Sequence, residues 1–273
     1  MAVMTVPLPR VPPAGLILAV LILALAAAWT VAPGLFTAYS GTDGIPGQHR
    51  LAPGAVHWLG TDALGRDILA RIIFGARQTL SGAVSAVALG LVAGTALGLA
   101  AASGGRALDD AIARLIDVLL AVPPLLLSLT IIILLGSGTI NAAIAVGVTS
   151  VAAFARLARA EVIRVRQADF VEAAIVAGAR RPAVMLRHIL PNALPPVLAL
   201  AAVQFGSAIL AISTLGFLGF GAQPPTPEWG LMIAEGRRYL ATAWWISIFP
   251  GIAVVLIVGA ANRISLSLKG EPR

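Results

Sequence analysis

Six stretches of mostly apolar residues punctuate the chain, at about 14–31, 80–102, 116–135, 140–154, 194–215 and 244–261. A helix crosses the hydrocarbon core of a bilayer with about 20 such residues, so the pattern predicts an all-α, polytopic membrane protein with six transmembrane helices. The fourth stretch is the shortest and reaches full length by running into Arg156, whose side chain snorkels to the interface. The first stretch follows Arg10 and contains Leu25-Ala26-Ala27-Ala28, in the manner of a secretory signal. It continues through Trp29 and Val31, beyond a signal core of about 7 to 15 residues, and is read as an uncleaved helix.

Composition sharpens this picture. The chain has 273 residues, of which 59% are hydrophobic and 11% charged, with a mean hydropathy of +0.94. A soluble domain carries about 25% charged residues, so a soluble globular protein and a disordered chain are excluded. The absence of cysteine excludes a disulfide scaffold and thiolate metal sites. Residues 1–56 hold an N-terminal tail, the first span and the start of an external loop. Residues 57–273 form a core with five further spans, including a cytoplasmic segment at 155–193.

The net charge of +7 invites a nucleic-acid reading until the cations are placed. Taking the termini and alternate loops as one side gathers Arg10, Arg106, Arg114, Arg156, Arg159, Arg164, Arg166, Arg180, Arg181, Arg187, Arg263, Lys269 and Arg273. The other side holds Arg50, Arg66, Arg71, Arg77, Arg237 and Arg238. The positive-inside rule then places both termini in the cytoplasm. Topology and anionic headgroups absorb the basic excess, leaving none that requires nucleic acid.

No ionisable residue stands in the middle of a span, which disfavours an ion-coupled carrier. Asn141 and Gln204 either line a translocation pathway or join helices by hydrogen bonds. Gly82, Ala86, Gly90, Gly94 and Gly98 recur every four residues, a stripe that lets another helix approach closely, within this chain or across a subunit interface. Outside the spans, Leu64, Ile68, Leu69, Ile72 and Ile73 form an apolar stripe opposite Arg66, Asp67 and Arg71, as in an interfacial helix lying ahead of span two. A phosphate-binding loop needs a GxxxxGK motif, and the only lysine is Lys269. His49, His57 and His188 lack metal-ligand spacing. The chain is read as a non-enzyme that binds no cofactor itself.

The cytoplasmic run QADFVEAAIVAGARRPAVMLRHILPNALPP, 167–196, reads as two short helices. Asp169 caps the first, with Glu172 at capping-box spacing. Gly178 provides a left-handed stop, Pro182 suits the first turn of the second helix, Pro191 closes it, and Asn192 caps span five. Val171, Ile175, Val184 and Met185 need a cover, which is either the loop's own helix ends and lipid headgroups or a cytoplasmic partner.

Glu172-Ala173-Ala174, Gly178 and Leu190-Pro191 resemble the EAA loop of permease subunits of binding-protein-dependent ABC importers, with His188 where the pattern usually has Ile. HWLGTDALGRD at 57–67, FGARQTL at 74–80 and LGFLGFGAQPPTPEWG at 215–230 are similar to stretches of the dipeptide, oligopeptide and nickel permease family, C-type subunit. The likeness covers about 57–262, and the tail NRISLSLK departs from the family ending. The resemblance implies the type I importer permease fold in a bacterial inner (cytoplasmic) membrane and a second, homologous permease. It implies two cytoplasmic ATPases, which hold ATP and magnesium and dock on the EAA loops, and an external solute-binding protein. Asp169, Glu172, Ala173, Ala174, Gly178, Leu190 and Pro191 become the ATPase-coupling residues. The RHILPN and PPTPEWG runs look peptide-type, with nickel or another small solute as the alternative. The rival from another class is a self-contained channel or secondary carrier.

Overall fold

A computed structural model describes residues 13–268. Arg10, Lys269 and Arg273, which entered the charge count, lie outside the described residues. The helices are α1 (Pro13–Val31), α2 (Ile68–Ser103), α3 (Arg106–Ala121), α4 (Pro124–Leu135), α5 (Thr139–Arg166), α6 (Asp169–Val176), α7 (Arg181–Val184), α8 (Leu190–Phe217), α9 (Trp229–Gly236) and α10 (Trp245–Leu268). Five helices are long and apolar enough to cross a membrane, namely α1, α2, α5, α8 with its upstream turn, and α10. The pair α3 and α4 is together long and apolar enough for a sixth, but it is bent by 95° at the break, as in a broken span or a re-entrant loop.

That bend corrects the expectation of an unbroken third span over 116–135. Val122 is extended (φ −87°, ψ 129°) and is followed by Pro123 and Pro124. A proline biases its predecessor away from α geometry and removes a backbone donor, so the helix stops and restarts. At 1.5 Å per residue, α4 alone extends about 18 Å, short of the core of about 30 Å.

Three further boundaries differ from the expectation. The fourth span is not short, because α5 has 28 residues and carries Arg156, Arg159, Arg164 and Arg166 on helix, so 155–166 is not loop. The interfacial helix and span two are one 36-residue helix, α2, capped by Asp67, whose Oδ1 accepts from the Ala70 amide at 2.7 Å. Pro191 does not close a helix, and Asn192 does not cap one. The chain runs from α7 through a π-helical turn, Met185–Ile189, straight into α8. The wider turn relieves the clash a proline ring makes with the carbonyl four residues back, and Asn192 Nδ2 donates to His188 O at 2.7 Å.

The core is built on α2 and α5, the most extensively packed pair. An added Cβ on Gly94 would lie 2.5 Å from Phe154 Cβ and 2.6 Å from Val151 O, and one on Gly98 would lie 2.7 Å from Ala155 O. Gly90 abuts Ser150 and Phe154, Ala86 is fully buried beside Gly147, and Gly82 meets Ile212 of α8 and Thr139. The small-residue stripe therefore packs within the chain. In lipid, close backbone approach takes the place of the hydrophobic drive that water would supply.

Candidate functional site

The two ends of the bundle are built differently. At the end predicted to be cytoplasmic, α6 is followed by Gly178 at φ +84°, whose amide donates to Ile175 O while Ala179 N donates to Ala174 O. These bonds use the carbonyls a helix end leaves free. The N-cap is Ala168, with no side-chain cap bond, and Asp169 is the first helical residue. The Asp169 and Glu172 capping box is thus absent, because the helix starts one residue earlier than the box requires. Asp169, Glu172, Ala173, Gly178 and Pro191 are exposed, and Ala174 and Leu190 are partly exposed. Val171 and Val184 are buried with Ala102, Val162, Val165, Ile189 and Ala193, and Met185 is partly buried against them, so the ends of this chain's own helices α2, α5 and α8 cover those three. Phe170, Ile175, Val176 and Leu186 stay exposed, Val176 at 82%.

At the opposite end, charges that the sequence pattern placed in water are buried. Arg66, Asp67 and Arg71 have relative exposures of 4%, 5% and 1%, whereas Leu64 is 61% exposed. Asp62 explains the inversion. Its Oδ1 accepts from the amides of Leu64 and Arg66, and its Oδ2 from Arg66 Nε at 2.5 Å and Arg71 Nη1 at 2.8 Å. The same two guanidinium groups donate to Glu235 Oε2 of α9, at 3.2 and 3.1 Å. Buried charges persist only when paired and hydrogen-bonded, and here the pairing ties the loop between α1 and α2, and α2 itself, to α9. Burial pushes the Glu235 carboxyl above its ordinary range, opposed by Arg66. Beside this network His57 Nδ1 pairs with Asp67 Oδ2 at 2.8 Å, and its Nε2 with Gln48 Oε1 at 2.6 Å. Gly60 makes the tight turn at φ +78°, where an added Cβ would lie 2.6 Å from Leu51 O.

The PPTPEWG run completes this cap. Glu228 is fully buried and caps α9, accepting from the amides of Gly230 at 2.9 Å and Leu231 at 3.0 Å. Desolvation raises its carboxyl to about 7, against the lowering effect of those amides. Trp229, also fully buried, donates from Nε1 to Ile72 O of α2 at 2.9 Å. Asp62, Glu228 and Glu235 were missed as structural residues. The available signal was the equal number of acids and bases in TDALGRD and its neighbours, which favours mutual pairing over solvation.

The structure also separates the two amides. Asn141 Nδ2 donates to Leu135 O at 2.9 Å and Gly136 O at 3.1 Å, tying the start of α5 to the end of α4. That is the helix-joining role. Gln204 is partly exposed on α8, and no described residue bonds its side chain.

The described residues thus form a helical bundle with several membrane-capable spans, a helix-turn-helix at one end and a charge-locked cap at the other. Residues 86–268 match the family of binding-protein-dependent transport system inner membrane components. The dipeptide transport system permease protein DppC of Alkalihalophilus pseudofirmus is 42% identical over 235 residues, 86% of this chain and 77% of that protein. The di/tripeptide transport system permease protein DppC of Pseudomonas aeruginosa is 44% identical over 211 residues, 77% and 70%. The glutathione transport system permease protein GsiD of Pectobacterium atrosepticum is 39% identical over 217 residues, 80% and 72%. Among solved structures, the fold resembles the inward-facing MetNI methionine ABC transporter (TM-score 0.56, 19% identity, 74% of this chain and 96% of that one). It also resembles an amino acid ABC transporter crystallised with histidines (TM-score 0.58, 18% identity, 73% and 92%). The chain belongs to the binding-protein-dependent permease family and is the membrane-spanning permease subunit of an ABC importer.

Proposed function

We propose that this permease imports di- or oligopeptides, working with a second, homologous permease in a bacterial inner membrane, with both termini cytoplasmic. The single observation that carries the substrate is the identity of about 40% to permeases named for dipeptides, di/tripeptides and glutathione. An external solute-binding protein delivers the peptide, and two cytoplasmic ATPases, holding ATP and magnesium, dock at the α6 to α7 loop. The exposed Phe170, Ile175, Val176 and Leu186 supply an apolar docking face around Glu172 and Gly178. Closure of the ATPases moves the loop, and because the π-helical turn joins α7 to α8 without a break, the motion reaches a membrane span directly.

The test is reconstitution. The complete transporter in proteoliposomes is expected to take up peptide only with ATP and binding protein, and this chain purified alone is expected to hydrolyse no ATP. Nickel uptake without peptide uptake would overturn the substrate, and ATP hydrolysis by the isolated chain would overturn the division of labour.

A further inference from the structure

We infer that one face of α8, formed by Gln204, Ser207, Ala211 and Thr214, is the surface along which the peptide backbone passes through this subunit. The inference rests on the peptide reading above and adds to it a site and a recognition chemistry.

The spacing i, i+3, i+7, i+10 places these four residues within about 80° of arc on an α-helix. Gln204 stands at the middle of the 194–215 apolar run, where a lipid-facing amide has no partner and each unsatisfied polar group costs several kcal/mol. Ser207 is exposed, and Gln204, Ala211 and Thr214 are partly exposed. The face therefore needs water, a solute or another protein against it. The bulk of α8 lies to one side, where Gly206, Ala208, Ile209, Ile212 and Ser213 are buried. On the other side Leu210 is 48% exposed, so the stripe is bounded by the protein core and by an apolar edge.

The chemistry of the face fits a peptide backbone. Gln204 offers two donors and a carbonyl acceptor. The hydroxyls of Ser207 and Thr214 donate to Val203 O and Leu210 O, which leaves their oxygens free to accept from amide N–H groups. None of these groups carries a charge, so the face can bond main-chain amides without selecting among side chains. The stripe from 204 to 214 extends about 15 Å, the length of roughly four residues of extended chain. Its position on α8 also puts it on the same continuous element as the loop, so a push at Gly178 is delivered to the surface that holds the solute.

The chain has no cysteine, which permits a direct test in the complete transporter. Gln204→Cys, Ser207→Cys and Thr214→Cys, with Leu210→Cys as the off-stripe control, are treated with a charged, membrane-impermeant methanethiosulfonate reagent. The three stripe positions are expected to be labelled and to be protected during turnover with trialanine-loaded binding protein, while Leu210→Cys is not labelled. Gln204→Leu is expected to raise the KM for trialanine uptake about three- to ten-fold, the loss of one or two hydrogen bonds, with normal assembly and an unchanged maximal rate. Absence of labelling at the stripe in the assembled complex means that it packs against the second permease or lipid, and overturns the proposal. Labelling without protection, equal labelling at Leu210→Cys, or an unchanged KM in Gln204→Leu does the same. Because labelling needs no knowledge of the solute, a wild-type transporter that moves nickel but no peptide, yet labels along the stripe, overturns the peptide chemistry and not the water-facing path.

Discussion

The charge-locked cap and the α6 to α7 loop, at opposite ends of the bundle, are held together by opposite means. In the cap, the buried Asp62, Arg66 and Arg71 form a cross-linked set of ion pairs that the partly exposed Glu235 joins, and Glu228 and Trp229 bond α9 and α2 through side chains. In the loop, α6 has no side-chain cap, its bonds are those of its own backbone, and a small cluster around Val171 and Val184 is its apolar anchor. A segment with few side-chain bonds and exposed apolar groups opens at low cost, whereas breaking a buried ion pair is expensive. The lesson is a division of stiffness. The cap keeps its shape while the α6 to α7 loop is left adjustable.

The largest expected effect is in the cap. Arg71→Ala leaves Asp62 with one cation fewer and weakens the hold on Glu235, at a cost of about 3–5 kcal/mol for a buried pair. Thermal melting of the purified protein in detergent and its membrane level should both fall sharply. Unchanged melting would mean that the network is not what holds the cap.

The pH dependence of the cap comes next. Burial raises the Glu228 carboxyl from 4.5 to about 7, so the folded protein binds this proton more tightly than the unfolded chain does. The sign is the reverse of a salt-bridged carboxylate: the stabilising effect is complete below about 4.5 and is lost as pH rises through 7. The shift corresponds to roughly 3 kcal/mol. Melting temperature should decline over that window and level off above it, and Glu228→Gln, which keeps an acceptor for the α9 amides, should flatten the decline.

In the loop the thermodynamic effect is smaller and the functional one is total. Gly178 has φ +84° and open space where a Cβ would go, so Gly178→Val costs conformation without a clash, about 1–3 kcal/mol. Uptake should vanish while the membrane level stays near normal. Normal uptake together with ATPase copurification would take the loop out of the mechanism.

The smallest effect belongs to Glu172. With no capping box to lose, Glu172→Gln and Glu172→Ala should each change stability by about 0.5 kcal/mol or less. A fall in uptake in both variants at unchanged melting would mark a contact with the ATPase. Reduced melting in Glu172→Ala alone would show that the side chain supports α6 after all.

The sequence by itself determined the class of molecule. Hydropathy runs long enough for a bilayer, a stripe of Gly and Ala every four residues, and a glycine between two short helical patterns are local properties, and local periodicity reads them directly. Even the break in the third span was written in Val122-Pro123-Pro124, although run length masked it. Only the tertiary structure decided where the charges go. Arg66 and Arg71 read as a solvated face because Asp62 pairs with them from a turn rather than from a helical position, and Glu235 is supplied by another segment, where pairing across 169 or 164 positions leaves no periodic trace. The same holds for Asn141, whose acceptors belong to the end of α4, and for Gln204, whose side chain no described residue bonds. Helices are fixed by interactions a few residues apart, while the partner of a buried charge is chosen by the fold that brings it near.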